Sequence, residues 1–123
     1  ISCIFVNSSG NIFLSFAYTA GYTALKDNQY HHIVFNFQTN NYKIFVDGQE
    51  VAVNASFRNG SQSTSMISNL FNTVASPNVT VGYAGSAGNA FIGDIPITKI
   101  YNRALTPEEV KQNYNATKTR FGI

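Results

Sequence analysis

The stretch Tyr30–Val53, YHHIVFNFQTNNYKIFVDGQEVAV, constrains the fold more than any other part of the chain. It reads as three consecutive antiparallel strands, Tyr30–Gln38, Tyr42–Val46 and Gln49–Val53, separated by Thr39-Asn40-Asn41 and Asp47-Gly48. Asn and Asp tolerate left-handed backbone, and Gly reaches positive φ without a Cβ penalty, so both breaks carry turn chemistry. Asp-Gly between two β-rich runs is a hairpin signal. Along the first strand His31, Ile33, Phe35 and Phe37 share one face, and Tyr30, His32, Val34, Asn36 and Gln38 share the other. One face is apolar and the other mixed, which predicts a sheet packed on a core on one side only.

Around this meander the chain alternates short β-rich runs with turn clusters. Ser2–Asn7 and Ile12–Tyr18 read as strands flanking Ser8-Ser9-Gly10-Asn11, and Tyr22–Leu25 as a further short strand before the loop Lys26-Asp27-Asn28-Gln29. Asn54–Pro77 is the least periodic part; its Met66–Ala75 run favours short strand or irregular structure, because Asn69, Asn72 and Thr73 are poor helix formers. Asn78–Tyr83 reads as a strand, AGSAGNA (84–90) as a small-residue loop, and Phe91–Asn102 as the last long strand, edge-placed or bulged at Pro96, which lacks an N–H. One helix is expected. Thr106 is its N-cap, Pro107 sits at N1, and Glu109 at N3 completes a capping box. Leu105 staples onto Val110, the helix ends near Asn113 or Tyr114, and Phe121 docks back onto the sheets.

Composition narrows the function classes. A chain of 123 residues suits one small domain, with roughly 65% of its extended surface buried on folding. Aromatic content is 14% and charged content 11%, a balance that favours β structure with a neutral polar surface over disorder. The net charge is +2 without a basic stripe, so no nucleic-acid partner is expected. No apolar run reaches the length of a membrane span, so no membrane insertion is expected. Cys3 is the single cysteine, which excludes an internal disulfide and cysteine metal spacing. Five N-x-S/T triplets, at Asn7, Asn54, Asn59, Asn78 and Asn115, are frequent enough in an Asn- and Ser-rich chain to arise by chance.

The Tyr-His-His opening, the apolar strand after it and the run Lys43-Ile44-Phe45-Val46-Asp47-Gly48-Gln49-Glu50-Val51 resemble the middle of a laminin-G or pentraxin-like domain, a branch of the concanavalin A-like lectin/glucanase superfamily. Phe91-Ile92-Gly93-Asp94-Ile95 and Ile100–Val110 resemble the closing strand and helix of such domains, and with Val79–Gly82 the likeness covers most of the chain after Tyr30. The ending from Asn113 to Gly122 is similar to repeats in phage and environmental-virus structural proteins. The resemblance and the strand count together imply an all-β, antiparallel jelly-roll β-sandwich with one short C-terminal α-helix. Residues 1–123 then form a single domain, with the family's earlier strands expected upstream of Ile1 or from a partner chain. An extracellular or virion-surface location follows from the same resemblance.

The resemblance also sets expectations for chemistry. In pentraxins an acidic calcium-binding cluster follows the Gly that matches Gly82; here Tyr83-Ala84-Gly85-Ser86 offers no carboxylate, leaving Asp94 and Asp27 as lone candidates, so no cofactor or metal is expected. Retaining glucanases need two carboxyl groups roughly 5–5.5 Å apart. The acids are Asp27, Asp47, Glu50, Asp94, Glu108 and Glu109; Asp47 and Glu50 flank a turn, and Glu108 and Glu109 serve the helix start. No pair fits, so a non-enzyme is expected. His31 and His32 point to opposite faces and cannot share a metal. The partners expected are a glycan or a surface protein, and other chains of a larger assembly. The candidate ligand-binding residues are the loop set Tyr18, Tyr22, Arg58, Asn59, Tyr83 and Asn89, because function concentrates on loops over a rigid scaffold. The mixed sheet face, with Ser15, His32, Asn36 and Lys43, is the second candidate. A structural or decoration domain without a ligand is the alternative.

Overall fold

The computed structural model describes residues 2–6, 12–18, 24–38, 41–57, 81–82 and 91–123, and the side chains of 24–37, 42–53, 81–82 and 91–123. Among the described residues six strands form two antiparallel sheets. β1 (Ser2–Val6), β2 (Ile12–Tyr18) and β6 (Val53–Phe57) make one, in the order β1-β2-β6. β3 (Ile33–Gln38), β4 (Asn41–Val46) and β5 (Gln49–Val51) make the other, in the order β3-β4-β5. The β4–β5 turn is a two-residue hairpin closed by the pair Val46↔Gln49. Asp47 at φ 50° and Gly48 at φ 78° give it the double positive φ of a type I′ turn, whose twist matches that of the flanking strands.

The run expected as a strand over Gln49–Val53 serves both sheets. Val51 pairs with Ile44 in one sheet, and two residues later Val53 pairs with Tyr18 in the other. Ala52 is the crossing point. β2 lies against β4, so the two sheets face each other as in a sandwich.

The register defines the faces of the second sheet. The pairs Ile33↔Val46, Phe35↔Ile44 and Phe37↔Tyr42 share one face, and Val34↔Phe45 and Asn36↔Lys43 share the other. Ile44 on the first face is fully buried. The second, mixed face is covered as well, contrary to the one-sided packing expected. Phe45 on it forms a core cluster with Leu105 and Val110, with Val34 packed alongside. Val34 and Phe45, paired across adjacent strands, make an apolar stripe wide enough to seat a helix, even though polar neighbours surround it.

That helix, α1 (Pro107–Phe121), starts as its sequence dictates. The Thr106 hydroxyl accepts the Glu109 N–H at 3.2 Å, and the Glu109 carboxylate accepts the Thr106 N–H at 2.9 Å. Leu105 before the cap and Val110 at N4 meet in the core as the expected staple. The helix runs past Tyr114 to Phe121. Lys118 and Arg120 lie in its last turn, where cations complement the dipole, and Gly122 at φ 71° caps it. Thr117 satisfies its hydroxyl on the Asn113 and Tyr114 carbonyls, so poor helix formers are accommodated. Phe121 docks onto Tyr30, with ring centroids 5.5 Å apart.

Three expected strands differ. Ala24 and Leu25 form a helical turn rather than the end of a strand. Val81 and Gly82 form a bend, with Gly82 at φ 78°. Residues 91–102 belong to neither sheet. Gly93 at φ 149° breaks the extended run, and Pro96 removes one ladder donor. The segment leaves Ile92 at 96% and Ile100 at 72% exposure. The Ser8–Asn11 turn, Met66–Ala75 and the 84–90 loop lie outside the described residues.

Candidate functional site

A cleft of about 360 Å³ opens where the second sheet meets the approach to α1. Asn36, Phe37, Lys43 and Phe45 of β3 and β4 form one wall, and residues 104–107 form the other. Sequence explains each wall. Strand alternation puts Asn36 and Lys43 side by side, and the capping box turns the chain sharply at Thr106.

The polar groups here are largely committed. Asn36 is buried; its Nδ2 donates to Leu105 O at 2.6 Å and its Oδ1 accepts the Leu105 N–H at 3.1 Å. Lys43 Nζ donates to Glu50 Oε2 at 2.8 Å. The cleft is therefore close to neutral, with aromatic and aliphatic carbon between amide, ammonium and hydroxyl groups. Among the described residues no carboxylate lines it.

At the other end of β3 the two histidines occupy different surroundings. His31 bridges two carboxylates, with Nδ1 2.8 Å from Asp47 Oδ2 and Nε2 3.1 Å from Asp27 Oδ1. Both ring nitrogens must donate to satisfy both carboxylates, so this geometry selects the imidazolium. Burial opposes the charge, but the hydrogen bonds to Asp47 and then Asp27 outweigh it and raise the His31 pKa. Asp47 Oδ1 also accepts the His32 N–H at 2.9 Å, tying the hairpin turn to the start of β3. His32 turns the other way. Its ring lies 6.1 Å from that of Tyr114 on α1, and its pKa is lowered, chiefly by burial.

Of the loop set, the side chains of Tyr18, Tyr22, Arg58, Asn59, Tyr83 and Asn89 lie outside the described residues; Tyr18 is placed only as the last residue of β2. Of the second set, Ser15 is placed by backbone alone, opposite Ile4 and Ser56. His32, Asn36 and Lys43 share a face, but the structure brings only Asn36 and Lys43 to the cleft; His32 packs under α1. Sequence reasoning missed Phe45, Leu105 and Thr106 as cleft residues. The signal was the staple and cap read there as helix punctuation alone.

Among the described residues no three His, Cys, Asp or Glu side chains gather to hold a metal ion. Asp27 and Asp47 serve His31, Glu50 serves Lys43, and Glu109 serves Arg103. Among the described residues no helix is long and apolar enough to cross a membrane.

A family-model match agrees with this architecture. A laminin G family model described as the concanavalin A-like lectin/glucanases superfamily matches residues 3–111. The chain therefore belongs to that superfamily, whose members share a jelly-roll β-sandwich. No curated protein matches. Among solved structures, residues 221–444 of an S-layer domain-containing protein from Clostridium thermocellum are similar, at 18% identity and a TM-score of 0.46. That alignment covers 75% of this chain and 42% of the other, so this chain spans under half of that one.

Proposed function

We propose that the chain is a non-catalytic recognition domain that takes a neutral glycan or a surface protein, and that it works outside the cell or on a virion surface. The observation that carries this reading is the cleft of about 360 Å³ beside α1. Its volume falls at the lower end of the about 300–1,000 Å³ typical of ligand sites. Its walls combine apolar surface with a few polar groups, and Glu50 offsets the Lys43 charge, so an uncharged ligand fits better than an anion. Support for the non-catalytic part comes from the carboxylates. Among the described residues none lines the cleft, and the His31 ring stands between Asp27 and Asp47, where a sugar ring and water would have to sit.

The test is a glycan-array screen in calcium and again in EDTA, followed by chemical-shift mapping of any ligand found. Saturable binding with shifts centred on Phe37, Lys43 and Thr106 is expected, equally in both conditions. Shifts that avoid these residues, or turnover of a β-glucan panel, would contradict the reading.

A second reading, a packing domain without a small ligand, is favoured by the exposed side chains of Val81, Phe91, Ile92, Ile100 and Tyr101. Large apolar side chains exposed in this number suit a protein contact. A monodisperse monomer across the concentration range of a sedimentation experiment would count against it.

A further inference from the structure

We propose that the second half of α1 is an acid-releasable clasp on the outer sheet face, with His32 as the trigger beneath Tyr114. The inference stands apart from the ligand reading above, because it concerns the opposite end of the face.

The two halves of the helix are held differently. At its start, Leu105 and Val110 are buried against Phe45, and Asn36 grips the Leu105 backbone with two hydrogen bonds. From Tyr114 onward the described residues are half-buried or exposed. Contacts there are few: Tyr114 lies against His32 and over Gly48, and Phe121 against Tyr30. The distal half therefore opens more easily than the proximal half.

His32 sits where a proton is poorly tolerated. Its Nδ1 is buried and lacks a hydrogen-bond partner. From the hairpin turn comes Asp47, which favours a cation, but its Oδ1 accepts the His32 main-chain N–H and its Oδ2 is held by His31. From the 91–102 segment comes Lys99, which opposes a cation. From α1 come Tyr114 and Lys118, the latter with Nζ 5.7 Å from the Tyr114 ring centroid. From its own segment comes His31, already favoured as a cation by its two carboxylates. Protonation at Nδ1 thus gives His32 an N–H with no acceptor in reach, with the positive charge of Lys99 opposing it. Moving Tyr114 off the ring lets water solvate the new cation. Neutral His32 keeps the clasp shut, and protonation favours its opening.

The experiment follows the whole chain by NMR from about pH 7.5 to about pH 5, the range in which histidine switches. His32 ring titration and amide exchange protection are measured together, with rates corrected for the intrinsic pH dependence. Protection of residues 114–121 is expected to fall with the His32 titration, by about tenfold for each unit by which docking depresses that pKa, while residues 110–112 stay protected. His32→Phe should hold the distal half shut across the range. Unchanged protection of 114–121 down to about pH 5 overturns the proposal, as does equal loss in His32→Phe. Should that variant not fold, the correlation between ring titration and distal protection in the wild-type chain decides alone.

Discussion

Asn36 and Leu105, 69 positions apart, hold each other by two hydrogen bonds, the side-chain amide donating to the Leu105 carbonyl and accepting from its N–H. The side chain thereby acts as a strand partner for the residue that leads into α1. Asn36→Ala would leave both main-chain groups buried without partners, which costs roughly 1–3 kcal/mol for such groups. Urea denaturation should show a loss of that size with an unchanged m-value. A loss no greater than that of an exposed substitution would mean that water replaces the amide.

Gly48 shows how a turn can be fixed twice. Its φ of 78° already disfavours a side chain, and a Cβ there would lie 3.2 Å from Tyr114 Cδ1. Gly48→Ala should destabilise by about 1–2 kcal/mol from backbone strain alone. Combining it with Tyr114→Ala separates the causes: strain persists in the double variant, and the steric part disappears.

His31 makes stability depend on pH. Its pKa is raised above 6.5 by Asp47 and Asp27 against the effect of burial. Its contribution is therefore complete below the unfolded value of about 6.5 and fades as pH rises through the higher folded value. His32 acts with the opposite sign: its lowered pKa gives a contribution that is present above about 6.5 and lost on acidification. Denaturation midpoints of His31→Gln should fall less than wild type from neutral to mildly alkaline pH. Parallel curves would refute the bridge.

Glu109 belongs at the acid end. Arg103 first, and the Thr106 N–H second, hold its carboxyl at about 2, and Arg103 Nη2 lies 2.6 Å from Glu109 Oε1. Its share of stability is present above the unfolded value of about 4.3 and disappears as pH falls through about 2. Carboxyl NMR should find Glu109 still ionised well below the ordinary glutamate range. Arg103→Gln should move its titration up toward the ordinary range.

Local chemistry made much of the fold legible. Asp47-Gly48 gave away the hairpin, and Thr106, Pro107 and Glu109 fixed the helix start, because turn and cap preferences act over three or four residues. The helix end was also written, in Lys118, Arg120 and Gly122, where last-turn cations and a left-handed Gly cap carry the helix past the Tyr114 stop expected. VNASF, residues 53–57, alternates like a strand, yet its removal to the other sheet depends on β2, more than thirty residues earlier. Residues 91–102 carry strand-like isoleucines, and Gly93 and Pro96 together defeat the ladder. The cleft was half legible. Asn36 and Lys43 share a face by simple alternation, whereas Leu105 and Thr106 reach them only through a long-range contact that periodicity does not encode.

Ala52 gives the sandwich its phase. Side chains alternate with a period of two, and a single residue separates the last pair of β5 from the first of β6. Inserting one residue there would exchange the inward and outward positions of β6 while leaving β3, β4 and β5 correct, so the two sheets would no longer agree on which side is the interior. The same insertion in an exposed loop would cost little. The tolerance of this chain to lengthening is thus set by position along one strand rather than by distance from the core.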